Sequence, residues 1–206
     1  MTPDPASPPE ASISLLDENW SINPYAMYQD GYAAVYGLDT ALSAEVTDGV
    51  TAGSRLFYYF VDARLPSVGD SSNFSVIPFV DFKPFTLQLG YARFDDGNAL
   101  NKPEWMRDHL LHTVSDQTIS YGFPGAEILF GQIRYALDAF WMHYSYVDYD
   151  YDFAASRGDG TVEHEVQFGY AFTKSFDVNL RLFDVSYDNV DNKDYQKVEA
   201  LVRFKF

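Results

Sequence analysis

The sequence has no cysteine, which removes disulfide staples, thiolate metal sites and cysteine nucleophiles. It is short of positive charge: 14 lysines and arginines stand against 30 aspartates and glutamates, a formal net charge of −16. So acidic a chain offers no basic face to phosphates, which excludes nucleic acid as a partner. Long hydrophobic runs are missing too. The longest, such as Leu56–Val61, extend six residues, far short of the ~20 that a membrane-spanning helix needs. The opening stretch MTPDPASPPEAS has neither a basic nor an apolar segment. No signal peptide is visible there, and residues 1–11 read as a flexible leader, a processed end or the edge of a fragment, ahead of one folded unit over 12–206.

Aromatics, by contrast, are abundant, with 16 Tyr, 17 Phe and 3 Trp, and 47% of the chain is hydrophobic. Disorder is excluded by that composition, and 206 residues fit one domain or at most two small ones. From about Tyr32 onward the hydrophobic period is two, the period of a strand. Val198, Ala200, Val202, Phe204 and Phe206 fall on one face, and Lys197, Glu199, Leu201, Arg203 and Lys205 on the other. Similar alternation runs through 161–172 (where His164 interrupts the apolar set), 176–183, 85–92 and 50–60. Less regular versions occupy 31–43, 73–82, 128–137 and 139–149, and a weak tenth candidate lies near Ser12–Asn19. The chain therefore reads as all-β, with about ten antiparallel strands.

The connectors alternate in length. Tight turns are expected at Thr47-Asp48-Gly49, Lys83-Pro84, Leu137-Asp138 and Thr173-Lys174-Ser175. Between them come longer, acidic connectors over 62–72, 95–126, 150–160 and 185–194; the strand-like stretch 116–123 is assigned to the second. Short turns at one end and long loops at the other are the rhythm of a transmembrane barrel. An aromatic-rich soluble β-sandwich also alternates, but its turns have no reason to alternate in length and its apolar face is buried between sheets. Tyr and Phe cluster near strand ends, in Phe57-Tyr58-Tyr59-Phe60, Phe82/Phe85, Phe140-Trp141 and Phe172/Phe176, as interfacial girdles do. In the barrel reading the apolar face meets lipid and the small or polar face encloses a lumen.

Two segments carry a family resemblance. The closing strand Val198-x-Ala200-x-Val202-x-Phe204-x-Phe206 resembles the terminal signal by which bacterial outer-membrane barrels are handed to their assembly machinery. The run from Ile128 to Asp150 resembles hairpins of OprD-type and related major outer-membrane porins, and Phe176–Tyr187 is similar. The resemblance covers about 125–206 well and 31–94 by rhythm alone. Such porins are roughly twice as long, with 16–18 strands, so the chain reads either as a small relative or as the C-terminal half of a larger barrel.

The resemblance implies passive diffusion of small hydrophilic solutes or ions across a bacterial outer membrane, without cofactor or metal. Its implied partners are the lipid bilayer, lipopolysaccharide, the barrel-assembly machinery, the solutes and a homo-oligomer. By register, Arg55, Arg134, Arg181, Arg203 and Lys205 point inward, opposed by Glu163, Glu165, Asp177 and Glu199. Facing charges of opposite sign set ion preference in pores, and OprD-type porins are similar in guiding carboxylate-bearing solutes along an inward basic row. In a narrow barrel the same residues pair and plug the interior. A small non-conducting structural or adhesin-like barrel is one alternative. A lipid hydrolase is another: His143 and Ser145 share a strand face, with Glu163 or Glu165 as orienter for a Ser nucleophile. Asp148-x-Asp150-x-Asp152 and Asp184 to Asp194 supply carboxylate oxygens for calcium without ordered spacing, and read as solvated acidic loops. His109 and His112 lack a third metal ligand and read as loop residues.

Overall fold

The computed structural model describes residues 19–29, 33–64, 69–95, 125–150, 160–188 and 194–204. They form one antiparallel sheet of ten strands in sequence order: β1 (Trp20–Gln29), β2 (Ala33–Thr47), β3 (Val50–Ala63), β4 (Ser71–Phe82), β5 (Phe85–Phe94), β6 (Glu127–Leu137), β7 (Phe140–Asp150), β8 (Gly160–Thr173), β9 (Phe176–Tyr187) and β10 (Tyr195–Phe204). Each strand pairs only with its sequence neighbours, so β1 and β10 are the edges of the described sheet. At 10 to 15 residues, every strand is long enough for a tilted bilayer crossing, which takes about 9–11 residues.

The four tight turns fall where the alternation breaks. Gly49 takes the left-handed conformation at φ 73° and donates its N–H to Glu45 Oε1 at 3.1 Å, next to a register shift between Glu45 and Thr47. Asp138 is also left-handed, at φ 53°, a position that the short Asp side chain tolerates. All four tight turns lie at one end of the sheet. The connectors at the other end span 30–32, 64–70, 95–126, 151–159 and 188–194. The first described strand, β1, begins at Trp20, and residues 12–18 of the weak Ser12–Asn19 candidate lie outside the described residues. Pro24 sits in the middle of β1. A proline cannot donate to a ladder, and an edge strand with one neighbour accommodates that loss.

The two faces differ as the alternation requires. On the outer face Leu38, Leu42, Leu56, Tyr58, Leu87, Leu129, Leu180 and Leu182 are exposed, and Leu89 reaches 66%. A file of aromatics follows the tight-turn end of that face. Phe82 stacks on Phe85 (ring centroids 5.6 Å), Phe85 meets Tyr135 (5.2 Å) and Tyr135 meets Phe140 (6.4 Å). Phe140 is the register partner of Tyr170, and the file continues through Phe172 (4.8 Å), Phe176 (5.1 Å) and Phe204 (4.8 Å). An aromatic belt across β4–β10, in ring contact on either side of the Phe140/Tyr170 register pair, is the arrangement expected at a lipid–water interface.

The inner face corrects one expectation. It is not small or polar throughout. Toward the long-connector end it carries a buried cluster of Val35, Phe57, Tyr59, Val61, Phe94, Ile128, Phe130, Val147 and Tyr149. Phe57, Tyr59 and Phe183 belong to the inward set by register and are all buried. Glycines make room for three inward rings. Gly53 faces Phe79, Gly90 faces Phe130 and Gly169 faces Trp141, each pair directly opposed in register. At each glycine a Cβ would overlap the facing ring. The rings therefore lie along the wall over their neighbours' backbones.

Candidate functional site: the inner wall

The inner face has three tiers. The apolar cluster occupies the long-connector end. A polar belt crosses mid-height, and an open charged zone lies toward the tight turns. Period-two geometry assigns each side chain to this face, and the register ladders assign its partners.

On β6–β10 one row of directly opposed residues reads Arg134, His143, Gln167, Arg181 and Glu199. The adjacent row reads Gln132, Ser145, Glu165, Phe183 and Lys197. Arg181 bridges the two rows: its Nε donates to Glu165 Oε1 at 2.9 Å and its Nη1 to Glu199 Oε2 at 3.3 Å. Lys197 Nζ lies 2.7 Å from Glu199 Oε1. Both cations also stand over the buried Phe183 ring, at 4.8 and 5.4 Å from its centroid, a favourable face for positive charge. Arg203 Nε donates to Asp177 Oδ1 at 2.8 Å. On β2 and β3 of the same face Arg55 grips Asp39 with both Nε (3.0 Å to Oδ1) and Nη2, the two-pronged geometry that suits a guanidinium. Arg134 has no carboxylate against it among the described residues; its guanidinium carbon lies 5.9 Å from the Trp141 ring centroid.

Every sequence-predicted inner charge within the described residues therefore stands on the inner face: Arg55, Arg134, Arg181, Arg203, Glu163, Glu165, Asp177 and Glu199. Glu163 and Glu165 are fully buried. Lys205 and Phe206 lie outside the described residues. The other members of the closing motif, Val198, Ala200, Val202 and Phe204, share the outer face of β10. Sequence reasoning missed Asp39 and the role of Lys197. Asp39 sits in a stretch where the inward positions Ala33, Val35 and Gly37 are apolar or small, so the alternation gave no polar set to place it in.

A hydrolase relay is not assembled. His143 and Ser145 do share the inner face, and His143 Nε2 lies 3.7 Å from Glu165 Oε1. The Ser145 hydroxyl is completely buried and has no hydrogen-bond partner, so no base reaches it. It also lies on the face opposite the exposed, aromatic-belted one. Of the carboxylates considered for calcium, Asp148 accepts from the Tyr146 hydroxyl at 3.3 Å, Asp184 from Gln196 at 3.3 Å, and Asp194 from the Tyr187 backbone at 2.9 Å, while Asp191 lies outside the described residues. Among the described residues no group of three His, Asp or Glu side chains forms a metal site. Asp152, His109, His112 and the segment 116–123 lie outside the described residues.

No family model matches the sequence, and no curated protein matches it. Solved structures do match the fold. OccAB3 of Acinetobacter baumannii superposes with a TM-score of 0.78 at 14% identity, covering 96% of this chain and 54% of that one. A BenF-like porin from Pseudomonas fluorescens Pf-5 gives 0.75 at 11% identity, covering 95% and 53%. OprD of Pseudomonas aeruginosa gives 0.69 at 12% identity, covering 92% and 57%. The chain thus has the fold of OprD-type outer-membrane β-barrel porins, and it spans about half the length of the solved structures it matches.

Proposed function

We propose that this chain forms wall of an outer-membrane porin, through which small hydrophilic solutes or ions diffuse passively. One observation carries the reading: a single sheet has an apolar, aromatic-belted face open to its surroundings and an opposite face lined by ion-paired charges. Lipid solvates the first face and an aqueous path the second, which is the division of labour in a transmembrane barrel. The porin fold of the structural neighbours supports it.

Within this reading Arg55, Arg134, Arg181, Arg203, Lys205, Glu163, Glu165, Asp177 and Glu199 line the path. Val198, Ala200, Val202, Phe204 and Phe206 present the apolar signal read by the assembly machinery. The outer face meets phospholipid and lipopolysaccharide, and a copy of the same barrel where the protein oligomerises. The test is conductance across planar bilayers. Folded protein that inserts and gives discrete, ohmic steps supports the porin. Folded, inserted protein that stays electrically silent contradicts it and favours a structural barrel.

A further inference from the structure

We propose that a second copy of this chain closes the wall, with β10 of each copy pairing along β1 of the other to give a two-chain barrel. The inference rests on the porin reading and names the partner that completes its path. Among the described residues the sheet is an open arc: ten strands pair in sequence order, and β1 and β10 each have one neighbour. The arc has the curvature of part of a wide barrel, since 96% of this chain superposes on 54% of a porin chain. Open edges are costly in hydrocarbon, where no water reaches their N–H and C=O groups. Both ends of the arc therefore need a strand beside them in the membrane.

The two edges match. Each is 10 residues long, and the even strand count makes them antiparallel. The Ser43 N–H donates to the Asn19 carbonyl at 2.9 Å, so odd residues of β1 bond to β2, and the backbone groups of Ile22 and Ala26 point to the open edge. At the other end the Asp188 N–H donates to the Gly160 carbonyl at 3.1 Å. Even residues of β9 thus bond to β8 and odd ones to β10, which aims the backbone of Val198, Ala200 and Val202 at the second open edge. On both strands these even residues also carry the outward side chains. A seam joining even to even therefore keeps the apolar face outside and the charged face inside. Setting Phe204 beside Trp20 carries the aromatic belt across the seam, with Val202 beside Ile22 outside and Leu201 beside Asn23 inside. Val198, Val202 and Phe204, exposed to 68%, 56% and 62%, gain a neighbour. Pro24 withdraws one donor from that ladder.

Closing the same ten strands on themselves would require about half the diameter, against the curvature of the arc. A second copy supplies both missing edges at once. The contact is head-to-tail and closes after two steps, with the tight turns of both copies at one end. Ten strands from each copy give a total that is even and within the range of outer-membrane barrels.

The test is cross-linking of the 206-residue chain, which has no cysteine of its own, after reconstitution into vesicles. The double variant Asn23→Cys with Leu201→Cys is oxidised and run on a denaturing, non-reducing gel. In the proposed seam these positions face each other at about 4.5 Å between Cα atoms, within reach of a disulfide. Variants with the second cysteine at 199 or 203 cover a shift of one inward position. The expected product is a covalent dimer that reductant reverses, strongest for one of the three pairs. Asn23→Cys with Gln132→Cys, in mid-arc, is expected to stay monomeric. A disulfide formed within one chain means that the arc closes on itself and overturns the inference. No cross-link at any of the three pairs, in protein that inserts and conducts, also overturns it and leaves the porin reading intact. A cross-linked dimer that inserts and stays electrically silent upholds the seam and contradicts the porin reading.

Discussion

The two ends of the inner face follow one sequence rule and reach opposite results. Toward the long connectors, inward positions are large and apolar, and they bury one another: Phe57, Tyr59, Phe94, Ile128, Phe130 and Tyr149. Toward the tight turns, inward positions are mostly charged, polar or small, and the Phe79 and Trp141 rings lie against facing glycines. A cleft of about 460 Å³ lies there, lined by Asp81, Lys83, Thr86, Arg134 and Asp138 among others. Alternation says which side of the sheet a residue occupies. It does not say whether that side is filled or open at a given height. Filling comes from side-chain volume, and openness from charges that stay hydrated.

The comparison can be broken first at the belt between the two ends. Arg181→Ala leaves Glu165 buried without its main counter-charge, and a loss of about 3–5 kcal/mol is expected. Denaturant unfolding of reconstituted protein measures it, and a loss below about 1 kcal/mol would mean that the belt is more hydrated than the structure shows. Ile128→Ala, in the filled end, is expected to cost about 2–5 kcal/mol because the cavity is closed in by its neighbours. Gly90→Ala comes next. The new methyl must displace the Phe130 ring, which is itself packed in the cluster, and a cost of about 1–3 kcal/mol is expected. Gly169→Ala presses on Trp141, which is only partly buried, so the smaller effect of the two is expected there.

The open end should barely respond. Arg203→Ala removes an ion pair whose arginine side chain is 59% exposed, and such pairs contribute about 0–1 kcal/mol. Unfolding midpoints that fall as far as those of the Ile128 variant would contradict the division into filled and open ends. Ser145→Ala sharpens the functional side: it is expected to leave conductance unchanged and to alter no lipid hydrolysis, because no base contacts that hydroxyl.

Much of this was legible in the sequence, for physical reasons that differ from element to element. The strand faces were legible because a two-residue period survives any tertiary context that exposes one side to an apolar medium. The tight turns were legible because Asp48-Gly49 and Asp138 supply residues that accept left-handed backbone. β1 was not, because Pro24 interrupts its pattern. The inward orientation of Arg181 and Glu165 followed from parity. Their bond did not, because it depends on the register of β8 against β9, which sequence periodicity leaves unset. The gap between the filled and open tiers was hidden for a similar reason: Phe57 and Arg55 share a face, and only their heights relative to neighbouring strands separate a buried ring from an exposed guanidinium.

The absence of native cysteine makes the central claim directly measurable. Single variants Val178→Cys, Asn179→Cys, Leu180→Cys, Arg181→Cys and Leu182→Cys, each carrying a nitroxide in reconstituted vesicles, report collision with oxygen dissolved in the bilayer. The account predicts high oxygen accessibility at 178, 180 and 182 and low values at 179 and 181. The inverse alternation, or uniform accessibility along β9, would contradict it.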